Sequence, residues 1–300
     1  VKPAKLSGED AVVARLTRLL GGSGKNVITG IGDDCAVVRG PAGGRLLLLK
    51  TDCVVEGRHF LESHPAGAIG WKAACRAVSD MAACGGEPVS ALVTCVIRPE
   101  QSGRWLDALY RGIAKAGREF GFNVVGGELA RTDGPAVISV SMTGEVEPEM
   151  YVGRGGGRPG DLLYVTGVLG GSLKAGWHLR FRPRLPEARW LAGKFRLRAL
   201  MDLSDGLAAD LPRLARASGA GFVLDQSSVP RRRGATLKQA LGDGEDFELL
   251  FALAPSDAAA LQKAWSRRWP ALRLTCIGRL ELPSVHVGLD RVRGFDHFAP

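Results

Sequence analysis

Long apolar runs are missing from this 300-residue chain. None approaches the roughly 20 residues that cross a bilayer, and residues 1–10 lack the apolar stretch of a signal peptide. Neither membrane nor export is indicated, and a cytoplasmic setting is expected. Paired CxxC motifs are missing too. Cys35, Cys53, Cys75, Cys84, Cys95 and Cys276 stand singly in apolar stretches, which suits reduced structural thiols rather than a zinc or redox centre. Aromatic residues are scarce, at 6% of the chain. The basic runs Arg180-Phe181-Arg182-Pro183-Arg184 and Arg231-Arg232-Arg233 are short, with Phe181 their one aromatic. A net charge of +9 and a pI near 9.5 therefore read as attraction for a small anion, and no nucleic-acid partner is expected.

Standard phosphate loops are also lacking. Gly24-Lys25 has Leu19 where a P-loop needs its first glycine, and Asn26 where it needs Ser or Thr. Gly155, Gly157 and Gly160 fit GxGxxG as a string, but the stretch contains Pro159 and runs into a strand instead of opening a helix.

Carboxylates, by contrast, recur in a pattern. Gly30-Ile31-Gly32-Asp33-Asp34-Cys35, Thr51-Asp52, Ser79-Asp80, Gly126-Gly127-Glu128, Asp202-Leu203-Ser204-Asp205-Gly206 and Asp243-Gly244-Glu245-Asp246 are each expected where an apolar strand gives way to a Gly-rich turn. Gathering carboxylates costs several kcal/mol of repulsion unless cations sit between them. Hard divalent ions facing a polyphosphate account for the pattern.

Three hundred residues exceed one typical core, so two domains are expected. A capped helix is predicted from Ser7, then strands at 34–38 and 45–51 around a Pro41-Ala42-Gly43-Gly44 turn. A helix at 66–84, a buried strand at 88–97, an amphipathic helix at 102–120 and strands at 122–125 and 136–146 follow. The glycine-rich stretch 153–160 places a boundary near residue 148, giving domains 1–148 and 149–300. The second half reads as strands at 161–166, 222–225, 247–253, 272–277 and 285–289, with a buried segment at 199–203. Helices are predicted near 172–179, at 207–218 and at 256–265, with a Pro/Arg loop after the first. Strands and helices mix without strict βαβ repetition, so the fold class is α+β, or mixed α/β.

Taken together, the blocks GIGDDCAVV (30–38), TDCVVEGRHF (51–60), GWKAACRAVSDMAACGGEP (70–88), GGE (126–128), RPGDLLYVTGVLG (158–170), MDLSDGLAADL (201–211), GEDFELLF (244–251) and GFDHF (294–298) resemble the thiamine-monophosphate kinase family. That family shares a superfamily with aminoimidazole ribonucleotide synthetase. The resemblance spans nearly the whole chain. It implies two α+β domains, a homodimer formed through the first, and transfer of the ATP γ-phosphoryl group to thiamine monophosphate. It implies Mg²⁺ at Asp34, Thr51, Asp52, Asp80, Asp202 and Asp205, with Asp52 and Asp205 expected to carry catalysis. Nucleotide contacts are implied at Tyr110, Gly127, Glu128, Arg154 and Ser204, and acceptor contacts at His59, Glu245 and Phe295. Each has a plainer reading: Asp205 as a cap for the helix from Leu207, His59, Phe295 and Tyr110 as packing residues. Asp80 lies among Ala77, Val78, Met81 and Ala82, which favours a buried acid with a cation.

The chain also departs from the family pattern. Lys50 stands where a small hydroxyl residue is usual, and on a strand it shares a side with Asp52. There it either replaces a metal ion's charge or binds phosphate. Glu128-Leu129 replaces Asp-Thr, Asp243 replaces a glycine, an Asn is missing before Ser79-Asp80, and the segment 229–241 is short. These departures keep two alternatives open: a related enzyme with another acceptor, and a non-catalytic nucleotide-binding regulatory dimer.

Overall fold

Two six-stranded mixed sheets share one buried helix. The computed structural model describes residues 8–20, 24–40, 44–289 and 292–296. Ser7, the Pro41–Gly43 part of the turn and Phe298 lie outside them. The first half runs α1 (Glu9–Leu20), β1 (Val27–Thr29), β2 (Ala36–Arg39), β3 (Leu46–Val55), α2 (Ala66–Ala83), β4 (Glu87–Ile97), α3 (Gly103–Phe120), β5 (Asn123–Arg131) and β6 (Val137–Val146). Its sheet is ordered β1-β2-β3-β6-β4-β5, antiparallel except for β4–β5. The second half runs β7 (Leu162–Thr166), α4 (Leu185–Lys194), β8 (Ala199–Asp202), α5 (Leu207–Ala217), β9 (Gly221–Leu224), α6 (Leu237–Gly242), β10 (Leu249–Leu253), α7 (Ala258–Arg268), β11 (Leu274–Glu281) and β12 (His286–Val287). That sheet is ordered β12-β9-β11-β7-β10-β8, with β12–β9 its parallel pair. The mixed α/β, two-domain class expected from the sequence is the observed one.

Helix α2 organises the molecule. It is made largely of alanine, glycine and other small residues, and nearly all of it is buried. It packs on β3, β4 and β6 of the first sheet, on α3, and on α4 and β8 of the second half. The crossing with α3 is close because glycines stand at the contact. A Cβ on Gly70 would lie 2.0 Å from the Leu109 carbonyl oxygen, and one on Gly112 would lie 2.0 Å from that of Gly67. One apolar cluster consequently runs from Val37, Leu48 and Val140 through α2 to Phe181, Leu191 and Phe251. A second cluster, around Leu163, Leu211 and Leu250, lies under α5. Helix α3 starts where the sequence indicates, with Ser102 Oγ accepting from the Trp105 amide, and stops at Gly121 in the left-handed region.

Several expected boundaries shift. Strand β5 continues through Gly126-Gly127-Glu128 to Arg131, so this motif lies within a strand and not in a turn. Thr51-Asp52 is also mid-strand, and Ser79-Asp80 is mid-helix. The helix predicted near 172–179 is a single 3₁₀ turn, Trp177–Leu179. The Pro/Arg loop instead opens α4, where Pro186 sits in the first turn and needs no amide partner. Among the described residues no helix is long and apolar enough to cross a membrane.

Candidate active site

Three carboxylates from three separate elements meet at the junction of the two halves. Asp34 precedes β2, Asp80 projects from α2, and Asp202 ends β8; one oxygen of each lies within 4.8 Å of the others, and all three residues are buried. Ser79 Oγ donates to Asp202 Oδ2 at 2.6 Å. Arg154 grips Asp34 with two hydrogen bonds, Nε to Oδ2 at 3.1 Å and Nη2 to Oδ1 at 2.7 Å. Lys50 faces the same cluster, its Nζ 2.9 Å from Asp80 Oδ1. Strand alternation puts Lys50 there beside Asp52, as the sequence implies. Burial works against the Lys50 ammonium, but Asp80 and Asp52 hold its pKa above the ordinary value. Burial, with Asp34 beside it, pushes Asp202 up to about 7, and Asp80 is raised mainly by burial. Lys50 and Arg154 are thus the two cations in direct contact with the three acids.

A second ionic group lies along the same face of α2, one and two turns before Asp80. Lys72 is completely buried. Its Nζ lies 2.6 Å from Glu245 Oε2, 3.0 Å from His178 Nδ1 and 2.5 Å from the His59 carbonyl oxygen. Arg76 reaches Asp52 Oδ1 through Nη2 at 3.1 Å and Nε at 3.3 Å, and Glu245 Oε1 through Nη1 at 3.4 Å. Burial opposes the Glu245 anion, yet His178, Lys72 and Arg76 hold its pKa down to about 2. Burial lowers Lys72 to about 8 despite Glu245.

The loop that presents Glu245 is backbone-strained. Glu245 and Phe247 both have positive φ, 55° and 53°, a region that costs non-glycine residues of order 1–3 kcal/mol each. Its neighbours pin it. Asp246 accepts from the Gly170 amide at 2.8 Å and pairs with Arg232 at 3.3 Å. Glu248 takes Arg184 on both oxygens, at 2.6 and 2.5 Å, and Thr166 Oγ1 at 2.7 Å. Phe247 stacks on Phe181, with centroids 3.9 Å apart. The basic runs thus contribute structural partners through Arg184 and Arg232.

Other expected site residues are distributed around these two groups. His59 is buried, and its Nδ1 accepts from the Val55 amide at 3.0 Å. Asp205 does not cap α5. Gly206 occupies the cap position, and the Asp205 carboxylate pairs with Arg213 Nη1 at 2.5 Å. Asp52 and Asp205 stand outside the trio, each held by an arginine. The Phe295 amide donates to the Asp205 carbonyl at 2.9 Å, which ties the C-terminal segment to the Ser204-Asp205 loop. Thr51 turns away from the trio. Its hydroxyl lies 3.1 Å from that of Ser141 on the outer face of the first sheet. Glu128, opposite Thr94 in the β4–β5 register, is on that outer face too. Gly127 is pressed against β4, where a Cβ would lie 1.9 Å from the Val93 carbonyl oxygen. The Tyr110 hydroxyl is 3.9 Å from Cys95 Sγ, against the sheet.

Lys72, Arg76, His178 and Arg213 were not singled out as site residues from the sequence. Two of them do carry a signal: Lys72 and Arg76 recur, with Ser79, at helical spacing on a mainly apolar segment.

Known proteins place this geometry in context. Residues 32–146 match the family model for the N-terminal domain of AIR synthase related proteins, and residues 158–282 match its C-terminal domain. The thiamine-monophosphate kinase of Rhodopirellula baltica is 37% identical over 253 residues, covering 79% of each chain. That of Salmonella typhimurium is 31% identical over 331 residues, covering 97% of this chain and 98% of its own. The solved structure of AaThiL complexed with AMPPCP and TMP has a TM-score of 0.82 at 32% identity, covering 97% of both chains. With both halves matched and near-full-length relatives at this identity, the chain belongs to the AIR synthase related superfamily and, within it, to the thiamine-monophosphate kinase family.

Proposed function

We propose that this protein transfers the γ-phosphoryl group of ATP to thiamine monophosphate, giving thiamine diphosphate and ADP. The observation that carries this reading is the carboxylate trio, Asp34, Asp80 and Asp202, assembled from both halves of the chain. The donors are all hard oxygens, and Mg²⁺ takes few carboxylates each, so the residues fit that ion. Bound there, Mg²⁺ would neutralise charge building on the transferred phosphoryl group. Asp52 and Asp205 act beside the trio, positioned by Arg76 and Arg213.

The chain's own part is binding and orientation. Arg154, Ser204, Gly127, Glu128 and Tyr110 are assigned to the nucleotide. His59, Glu245 and Phe295 are assigned to the acceptor. The acceptor's phosphate has a second pKa near roughly 6 and is largely a dianion at neutral pH. Its oxygen attacks the γ-phosphorus directly while the bond to the β-phosphate oxygen breaks. No general base is needed, and catalysis rests on positioning and electrostatics.

A homodimer is proposed through the outer face of the first sheet. Leu49, Leu92 and Val125 are exposed there around a shallow depression of about 450 Å³, and contiguous exposed apolar surface of this kind marks association sites. All six cysteines are free, which agrees with a cytoplasmic enzyme.

The test is incubation with ATP, Mg²⁺ and thiamine monophosphate, with thiamine diphosphate scored by chromatography against a magnesium-free control. Magnesium-dependent product is expected. Its absence would overturn the assignment of the acceptor.

A further inference from the structure

We infer that Lys50 is a built-in cation of the carboxylate centre, holding at Asp80 a position that a divalent ion would otherwise take. The inference rests on the proposed Mg²⁺ site and specifies how many ions that site accepts.

Three observations lead to it. First, the contact is direct: Lys50 Nζ is 2.9 Å from Asp80 Oδ1, and that carboxylate lies within the trio. A carboxylate oxygen so engaged is less available to a metal ion. Second, the ammonium is anchored. Lys50 is mid-strand in β3, opposite Met142 of β6, and its neighbour Leu49 pairs with Ala36 of β2. A side chain rooted there cannot leave with a loop. Arg154, the centre's other cation, lies outside any helix or strand, between β6 and β7. Third, the charge is shared. Asp52 stands two residues on, on the same side of β3, so the ammonium offsets repulsion between two acids brought close by the fold.

Of the two roles the sequence left open for Lys50, charge replacement and phosphate binding, the geometry favours the first. The ammonium is turned into the carboxylates. It is a positioning residue that sets the electrostatics of the acids which in turn hold the metal and, through it, the polyphosphate. A lysine supplies a single compact positive charge. Its removal leaves Asp80 with an oxygen and a negative charge to be met by another cation, and Mg²⁺ or Mn²⁺ is the available one.

The experiment counts ions instead of turnover. Mn²⁺ bound per protomer is measured by electron paramagnetic resonance of the free ion, with saturating AMPPCP present. The wild-type protein is compared with Lys50→Ser, Lys50→Gln and Lys50→Arg. Lys50→Gln keeps a hydrogen-bond donor toward Asp80 without the charge and guards against misfolding of the serine variant. Both neutral variants are expected to bind about one more Mn²⁺ per protomer than wild type, and Lys50→Arg the same number as wild type. Equal counts in wild type and both neutral variants would overturn the role of Lys50 while leaving the metal site standing. No Mn²⁺ bound by the wild-type protein with AMPPCP would overturn the metal site and this inference together.

Discussion

Glu245 shows how single side chains are tuned here. Its carboxylate is shared by Lys72, Arg76 and His178, and its folded pKa of about 2 lies below the ordinary 4.5. A depressed carboxylate contributes stability that is fully present above its unfolded pKa and is lost as pH falls through the folded one. The Glu245 contribution is therefore complete above about pH 4.5 and disappears toward about pH 2. Glu245→Gln leaves the buried Lys72 charge without its anion, a change that costs about 3–5 kcal/mol in comparable buried pairs. Urea unfolding at pH 7 should show a loss of that order, shrinking as the pH is lowered through the acid limb, with a raised KM for thiamine monophosphate. An unchanged midpoint at pH 7 would remove Glu245 from the structural role assigned to it. The acids of this site were legible in the sequence because Asp34, Asp80 and Asp202 sit in fixed short motifs. Lys50 apart, the cations of the site were not. Lys72 meets Glu245 across 173 residues and Arg154 meets Asp34 across 120, and in a chain with 40 lysines and arginines one cation looks like another until the fold pairs it.

Elements followed their own patterns where one force dominated. Helix α3 has a capping serine, an amphipathic face and a terminal glycine, and it appeared within a residue of expectation. Helix α4 was hidden because its proline and arginines look like loop residues, although Pro186 falls in the first turn and Arg184 is drawn inward by Glu248. Strand β5 was cut short on paper because Gly126-Gly127 suggests a turn; in the sheet those glycines let the strand lie flat against β4. The α2–α3 contact gives the sharpest test at this scale. Gly112→Ala forces a methyl group into the Gly67 carbonyl. The helices must separate, at a cost of about 1–3 kcal/mol or more, and because α2 carries Lys72, Arg76 and Asp80, activity should fall with stability. Urea titration and the kinase assay check this together; a variant equal to wild type in both would mean the crossing adjusts freely.

For the whole molecule, the two halves are joined by more than a linker. The apolar cluster around α2 takes in residues of both sheets, and the carboxylate trio draws on both halves of the chain. The proposed dimer adds a further level. Leu92→Glu puts a charge in the outer-face depression and should convert the protein to a monomer in sedimentation velocity, with the far-UV spectrum retained; a dimer that persists would place the interface elsewhere. Strand β5 gives that association an added urgency. Every residue from Asn123 to Arg131 is exposed, and β5 is the last strand of its sheet. A lone protomer therefore offers an uncapped template to which any extended peptide can add. Pairing with the right partner is then a race against adhesion to the wrong one, and dilution, slow refolding or overproduction of a truncated fragment would each tilt the outcome toward aggregation.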